Sequence, residues 1–379
     1  MIQLILSAFC LLAICQNSIE AGLTENQAII QAELLSLTNP TPSQAAVIND
    51  INSLTGKHLK QALDAISGEQ YTSLVDAEQY ADRRFNRRIY DAIRNLLPPS
   101  CDTDCCDLQV WMTAECGRSF LDGNGNAKGY KADNFDFSMG AHTYLCPSFL
   151  FGVGADYEED DLHYNQGGHN KIYTGQGALY AAYSCSCGYA FSDLILGYSR
   201  SHIKRLIEFR TYKSTARSSP KGFHGKSYTE FGLNYTPYGV LVQPFAGVGF
   251  GFYRVEGYDE HQARIFNLDI LHKHANPIST YLGLHLKDSF FDCFTGCLDV
   301  AWQHRFDDFH HTNTIHAKFR DFGNSFLIKG CHQGRDGIVG AINLSIEFAD
   351  GFDFYSELSG ELWDHWSTYG YNAGVTFWW

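Results

Sequence analysis

Tyr369-Gly370-Tyr371-Asn372-Ala373-Gly374-Val375-Thr376-Phe377-Trp378-Trp379 is the stretch that decides the fold. Successive side chains of a strand point to opposite faces. Tyr369, Tyr371, Ala373, Val375, Phe377 and Trp379 therefore share one face, and Gly370, Asn372, Gly374, Thr376 and Trp378 share the other. The first face is apolar and ends in an aromatic at the terminal carboxylate. The second is small and polar. An ordinary edge strand with so aromatic a face would aggregate. A strand with lipid on one side and a wet lumen on the other needs this division.

The same period of two extends back to Leu108. It predicts strands over Leu108–Phe120, Ala132–Tyr144, Phe149–Tyr157, Ile172–Ser184, Gly188–Tyr198 and Ser227–Tyr235, then over Val240–Phe252, Ile278–Leu286, Leu298–Phe306, Gly337–Phe348, Phe352–Trp363 and Ser367–Trp379. That is about twelve, an even number, as closure of a bacterial barrel requires. The connections alternate in length. Tyr144–Ser148, Ser184–Gly188 and Tyr235–Gly239 are short, whereas Glu158–Lys171, Ser199–Lys226, Glu256–Pro277 and Asp307–Asp336 are long and polar. Short inner turns alternating with long outer loops is the topology of an outer-membrane barrel. Lys287–Cys297 is long for a turn in this scheme, and Asp364–Trp366 is short for an outer loop.

Composition agrees. Aromatic residues make up 15% of the 379 residues, with 22 Tyr, 27 Phe and 35 Gly, and charged residues only 18%. The net charge of −14 disfavours a phosphate backbone, so no nucleic-acid partner is expected. No apolar run outside the N-terminus is long enough for a membrane helix, so any membrane crossing is made by strands. The apolar run Ile2–Cys15 has the length of a signal-peptide core. Residues 1–21 are read as that signal, with cleavage between 15 and 21.

Residues 22–98 read as helical. Thr24 and Gln27 form a capping box. Asn39-Pro40-Thr41-Pro42 interrupts the pattern, Ser67-Gly68-Glu69-Gln70 ends one helix and caps the next, and Pro98-Pro99 stops the last. That last helix carries Arg83, Arg84, Arg87, Arg88 and Arg94. The chain is thus expected to be an all-β membrane protein, a twelve-stranded antiparallel transmembrane β-barrel over 107–379, preceded by an α-helical segment.

Several stretches resemble the C-terminal translocator domain of autotransporters, the type V secretion family. Leu63-Asp64-Ala65-Ile66-Ser67-Gly68-Glu69-Gln70-Tyr71 with Ser73-Leu74 resembles the helical junction before such barrels. Val110-Trp111 followed by Asp122-Gly123-Asn124-Gly125 resembles the first strand and loop. Gln243-Pro244-Phe245-Ala246-Gly247 resembles the central Pro-Phe strand, and Ala301-Trp302-Gln303-His304-Arg305-Phe306 the Trp-x-His strand. The resemblance implies insertion in the bacterial outer membrane after export through the general secretory pathway. It also implies a helix seated in the pore and an N-terminal segment delivered to the surface. The residues before the barrel lack the solenoid repeats of large passengers. This is read as a translocator with a reduced passenger, or as an outer-membrane protein that uses the same barrel. The terminal strand, with Tyr371, Val375, Phe377 and Trp379, resembles the insertion signal of the barrel-assembly machinery. Outer-membrane lipid is the other expected partner.

Alternation places Glu115, Asp193, Glu230 and Asp299 inward. The pore helix opposite them carries Arg83, Arg84, Arg87 and Arg88, and charge pairs shielded from bulk water are the expected lock. The 12 cysteines are unusual for such a barrel. Cys101, Cys105, Cys106, Cys146, Cys185, Cys187, Cys293 and Cys297 are all expected near the inner rim, with Cys116 on the lipid face and Cys331 in an outer loop. Pairing within the Cys185/Cys187 or Cys105/Cys106 clusters is awkward. This points to bridges between turns, or to disulfide-linked envelope proteins as partners.

No nucleophile elbow, phosphate loop or dinucleotide fingerprint occurs. No cofactor, metal or catalytic residue is assigned. Asp307, Asp308, His310 and His311 sit where a rim protease of the omptin class would act, but on one strand rather than across a cleft; a solvated loop end is the preferred reading. His310, His311 and His316 lack tight metal-ligand spacing. Glu158-Glu159-Asp160-Asp161 reads as a solvated acidic loop. A pore or adhesin acting through its outer loops is the remaining alternative.

Overall fold

A computed structural model describes residues 22–94, 108–210, 212–290, 294–306 and 313–378. The proposed signal segment therefore lies outside the described residues. So do Cys101, Cys105, Cys106, Cys293, Asp307, Asp308, His310, His311 and Trp379.

Pleated segments whose two faces need different solvents find both only by closing on themselves. Here β1 (Leu108–Leu121), β2 (Tyr130–Cys146), β3 (Phe149–Tyr164), β4 (His169–Cys185) and β5 (Gly188–Phe209) form consecutive antiparallel hairpins. β7 (Lys221–Leu233) pairs with β5 and with β8 (Leu241–Val255), and β8 pairs with β12 (Ile278–Phe290). β13 (Phe294–Arg305), β16 (Asp336–Ala349), β17 (Phe352–Trp363) and β18 (Trp366–Trp378) follow, and β18 pairs with β1 from Gln109↔Trp378 to Leu121↔Trp366. These strands make a closed 12-strand antiparallel barrel.

On the outward face of seven strands an apolar belt gives way to ionisable residues at one level. Phe135 is followed outward by Asp133, Tyr157 by Glu159, Tyr173 by Lys171, Tyr198 by Arg200, Phe223 by Lys221, Phe252 by Arg254 and Trp302 by His304. On β3 the apolar stretch from Phe149 to Tyr157 matches the roughly 9–11 tilted residues a strand needs to cross a bilayer. The short turns lie at one end of this belt, and the strands run on beyond the other.

That outward extension corrects the expectation of long polar loops. Glu158–Asp161 is not a solvated loop but part of β3, with Glu158 and Asp160 turned inward and buried. Residues 199–226 continue β5 and form β6 (Tyr212–Ser218), paired with it. In the segments 256–277 and 307–336, β9 (Tyr258–Asp259), β10 (Leu268–Ile270), β14 (Thr314–Phe319) and β15 (Phe326–Lys329) form a second sheet, while β11 (Lys273–Ala275) pairs with β8. The supposedly long connection Lys287–Cys297 is mostly strand, since β12 runs to Phe290 and β13 starts at Phe294. Local alternation weakens near strand ends, where inward residues meet the cap rather than a wet lumen.

The cap is completed by α1 (Glu25–Leu35), α2 (Pro42–Asn52) and α3 (Gly56–Ser67). Thr24 caps α1 with the expected capping box, and Thr41 does the same for α2, with Pro42 in its first turn. α3 ends at Gly68, which takes the left-handed conformation (φ 77°) that a helix-terminating glycine favours. Ile30, Leu34, Ile48, Ile51, Leu63 and Ile66 cluster with Phe266 of a 3-10 turn and with Ile207, Leu268, Phe319 and Ile328 of the strands. After a short 3-10 turn, Glu69–Ser73, the chain enters α4 (Leu74–Arg94).

Candidate functional site

α4 descends from the cap into the barrel. It has two stripes. Phe85, Ile89 and Ile93, spaced by four, lie on one face and pack on the inward residues Trp111, Tyr180, Phe191 and Ile195. The arginines occupy the rest. Gly222 on β7 lets the wall approach the helix, because a β-carbon there would collide with the Glu78 carboxylate of α4.

Arg84 and Arg88 are both 0% exposed. Arg88 reaches Glu115 at 3.1 Å, Asp136 at 3.0 Å and Asp156 at 2.9 Å. Arg84 contacts Asp136 at 3.2 Å, Asp160 at 3.1 Å and also Glu158. Arg87 bridges Glu115 at 2.7 Å and Glu357 at 3.1 Å, and Arg83 meets Glu361 at 3.2 Å. Arg94 lies against Asp91, Asp299 and Glu357. A guanidinium offers five donors in a rigid fork, so one arginine can serve two or three carboxylates from different strands.

Of the four acids read from the sequence, Glu115 meets the named arginines. Asp299 meets Arg94 and His285 instead. Asp193 accepts from Asn86 at 2.5 Å and from the Tyr228 backbone at 3.1 Å. Glu230 is held by Tyr189, Tyr228 and His285. The sequence reading missed Asp136, Asp156, Glu158, Asp160, Glu357 and Glu361, which do most of the pairing. Alternation carried through every strand would have found Asp136, Asp156, Glu357 and Glu361; Glu158 and Asp160 were hidden by the loop assignment.

A cavity of about 110 Å³ remains beside the helix, lined by Arg83, Asn86, Tyr90, Lys226, Tyr228 and Tyr281. That is room for a few waters and not for a second polypeptide. The charge pairs fix one helix inside the barrel at a defined depth. Among the described residues no group of three or more His, Cys, Asp or Glu side chains is arranged to hold a metal ion.

The terminal strand keeps Tyr371, Val375 and Phe377 on the outward face, with Asn372, Gly374 and Thr376 inward. Cys146, Cys185, Cys187 and Cys297 lie toward the short-turn end, Cys116 faces lipid, and Cys331 is buried in the cap. The six described cysteines are free. Cys185 and Cys187, whose pairing within one turn was expected to be awkward, have their Sγ atoms brought to 3.0 Å by the tight β4–β5 hairpin.

The sequence profile of the family described as "Autotransporter beta-domain" matches residues 110–359. The translocator domain of the autotransporter NalP from Neisseria meningitidis superposes with a TM-score of 0.64 at 12% identity, covering 80% of this chain and 97% of that one. The β-domain of the Bordetella autotransporter Brka gives 0.51 at 15% identity, covering 72% and 99%. The transport unit of AIDA-I from Escherichia coli gives 0.51 at 12% identity, covering 77% and 96%. An "Extracellular serine protease" of Serratia marcescens is 20% identical over 376 residues, 92% of this chain. The chain spans 35% of that relative's length.

Proposed function

The chain belongs to the autotransporter β-domain family, whose barrels sit in the outer membrane and carry a passenger to the cell surface; we propose that this one carries its own residues 22–73 outward and keeps them docked as a cap, with α4 as the plug. The observation that supports this reading is the continuity of one helix. Its first turn, Leu74 and Val75, is part of the cap core, and its later arginines are paired to the wall of the lumen. A cap tied to a plug in this way is not free to leave while the helix is intact. The protease activity of the Serratia relative is not carried over, and the rim-protease, pore and adhesin alternatives are not favoured.

The reading includes export by a signal in residues 1–21 and insertion by the barrel-assembly machinery through the terminal strand. It also includes envelope proteins cross-linked through the cysteines at the short-turn rim. An epitope inserted after Asn39 tests the whole. Intact cells should bind antibody, and the barrel should migrate heat-modifiably from outer-membrane fractions. Deleting Phe377, Trp378 and Trp379 should abolish both signals. Antibody binding only after permeabilisation, or normal surface levels of the truncated chain, would overturn it.

A further inference from the structure

Just above the aromatic belt, charge is not distributed evenly round the barrel. On the β1–β4 side two outward cations are matched, and a third, Lys131, lies over the Phe120 ring. Arg118 pairs with Asp133 at 2.5 Å and Lys171 with Glu159 at 2.9 Å. On the β5–β8 side they are not. Arg200 and Lys204 on β5, Arg217 on β6, Lys221 on β7 and Arg254 on β8 are all exposed. None of these five has a carboxylate within ion-pair distance among the described residues. The register sets them against one another: Arg200 lies opposite Lys221, and Lys204 opposite Arg217. Arg254 lies opposite Phe223, two residues along from Lys221. Glu256, the residue after β8, lies across from Lys221, its backbone N–H donating to the Lys221 carbonyl at 3.0 Å, but among the described residues its carboxylate forms no ion pair with these cations.

Like charges facing each other across strands cost stability unless an anion sits between them. Such a cluster is unexpected in a chain of net charge −14. Its height narrows the choice of anion. Arg200 and Lys221 are each one same-face step above the belt residues Tyr198 and Phe223, about 7 Å along the strand. Lys204 and Arg217 stand further out. This is the depth of lipid headgroups, with the belt marking where the acyl chains begin.

We propose that the β5–β8 sector binds the phosphate-bearing headgroup of an outer-leaflet lipid. Phosphate oxygens bridge Arg200 and Lys221 at the lower level and Lys204 and Arg217 above. Arg254 flanks the lower site, and the Tyr198, Phe223 and Phe252 rings pack on the acyl chains. Arginine supplies paired donors to a phosphate, and lysine a point charge. The inference rests on the membrane orientation proposed above.

The test uses the full chain in phosphatidylcholine nanodiscs doped either with bisphosphorylated lipid A or with the same lipid stripped of phosphate. Heat-modifiable migration is recorded first, so a failure to form the inserted barrel is separated from a failure to bind lipid. Native mass spectrometry should show the phosphorylated lipid retained in preference to the stripped one. Each of Arg200→Gln, Lys204→Gln, Lys221→Gln and Arg254→Gln should weaken retention about fivefold. Arg118→Gln, on the matched side, should leave it unchanged. The variant that combines all four substitutions should lose the preference for the phosphorylated lipid, and if it does not insert, the double variant Arg200→Gln/Lys221→Gln carries the same prediction. Equal retention of the two lipids by the native barrel, or full retention by an inserted variant, would overturn the proposal. Displacement of the lipid by millimolar inorganic phosphate would also overturn it, by showing a site for soluble anions.

Discussion

In the cap, residues Glu25–Ser67 are covered by Ile, Leu and Phe; in the lumen, α4 is covered largely by carboxylates. Both coverings exclude water, but they have different consequences. Apolar burial stabilises roughly in proportion to area and cannot be undone without exposing that area. Buried ion pairs contribute less, because desolvation offsets the attraction, yet they penalise any shift that separates partners. A lumen lined with carboxylates can also fill with water when the helix is absent, whereas an apolar lumen would collapse or aggregate. The lower chemistry therefore suits a passage that is later plugged, and the upper one suits a lid that stays. Within the apolar cap, Arg205 and Glu260 form a fully buried pair, with Tyr71 donating to Glu260.

The contrast breaks most visibly if the arginines are removed. Changing Arg83, Arg84, Arg87 and Arg88 together to Gln leaves Glu115, Asp136, Asp156 and Glu361 without cationic partners, and removing one partner of a buried pair costs on the order of 3–5 kcal/mol. Single-channel conductance in planar bilayers should rise while the barrel stays folded. Unchanged conductance would show that the pairs do not hold the plug. Leu63→Ala probes the other chemistry, at about 2–5 kcal/mol. Protease should then cut the cap in intact cells while the basal conductance stays low; a rise in conductance would show that the cap, not the charge pairs, sets the seal.

The smallest effect is a pH dependence confined to the cap. Burial pushes the Glu69 carboxyl from an ordinary 4.5 up to about 8, opposed by the hydrogen bond it accepts from the Lys128 backbone at 2.9 Å. The folded cap thus holds this proton where the unfolded chain has lost it. Its stabilisation is complete below pH 4.5 and is lost as the pH rises to about 8. Protease resistance of the cap should fall across that window, and Glu69→Gln should flatten the profile. An unaltered profile in the variant would assign the dependence to another group.

Much of the barrel was legible residue by residue. Tyr371 outward and Asn372 inward follow from the pleat alone, as do Glu115 and Asp299 inward. Thr24 and Gln27 announced a helix start because a cap is a local hydrogen bond. The errors were non-local. Glu158 and Asp160 looked like solvent-loving loop residues, since nothing within β3 reveals that Arg84, far away in sequence, comes to meet them. Cys185 and Cys187 looked awkward to pair because they are two apart in one turn, yet the tight hairpin brings their sulfurs to 3.0 Å.

The sequence by itself determined the period of two, the aromatic belt, the sign of the lumen and the cationic stripe of the helix, because each depends only on neighbours along one strand or one helix turn. The tertiary structure alone decided which acid meets which arginine, that segments 256–277 and 313–336 build a lid, and that five unmatched cations gather on one flank. Those outcomes depend on closure and strand register, which bring together residues from different strands and which no single stretch of the chain encodes.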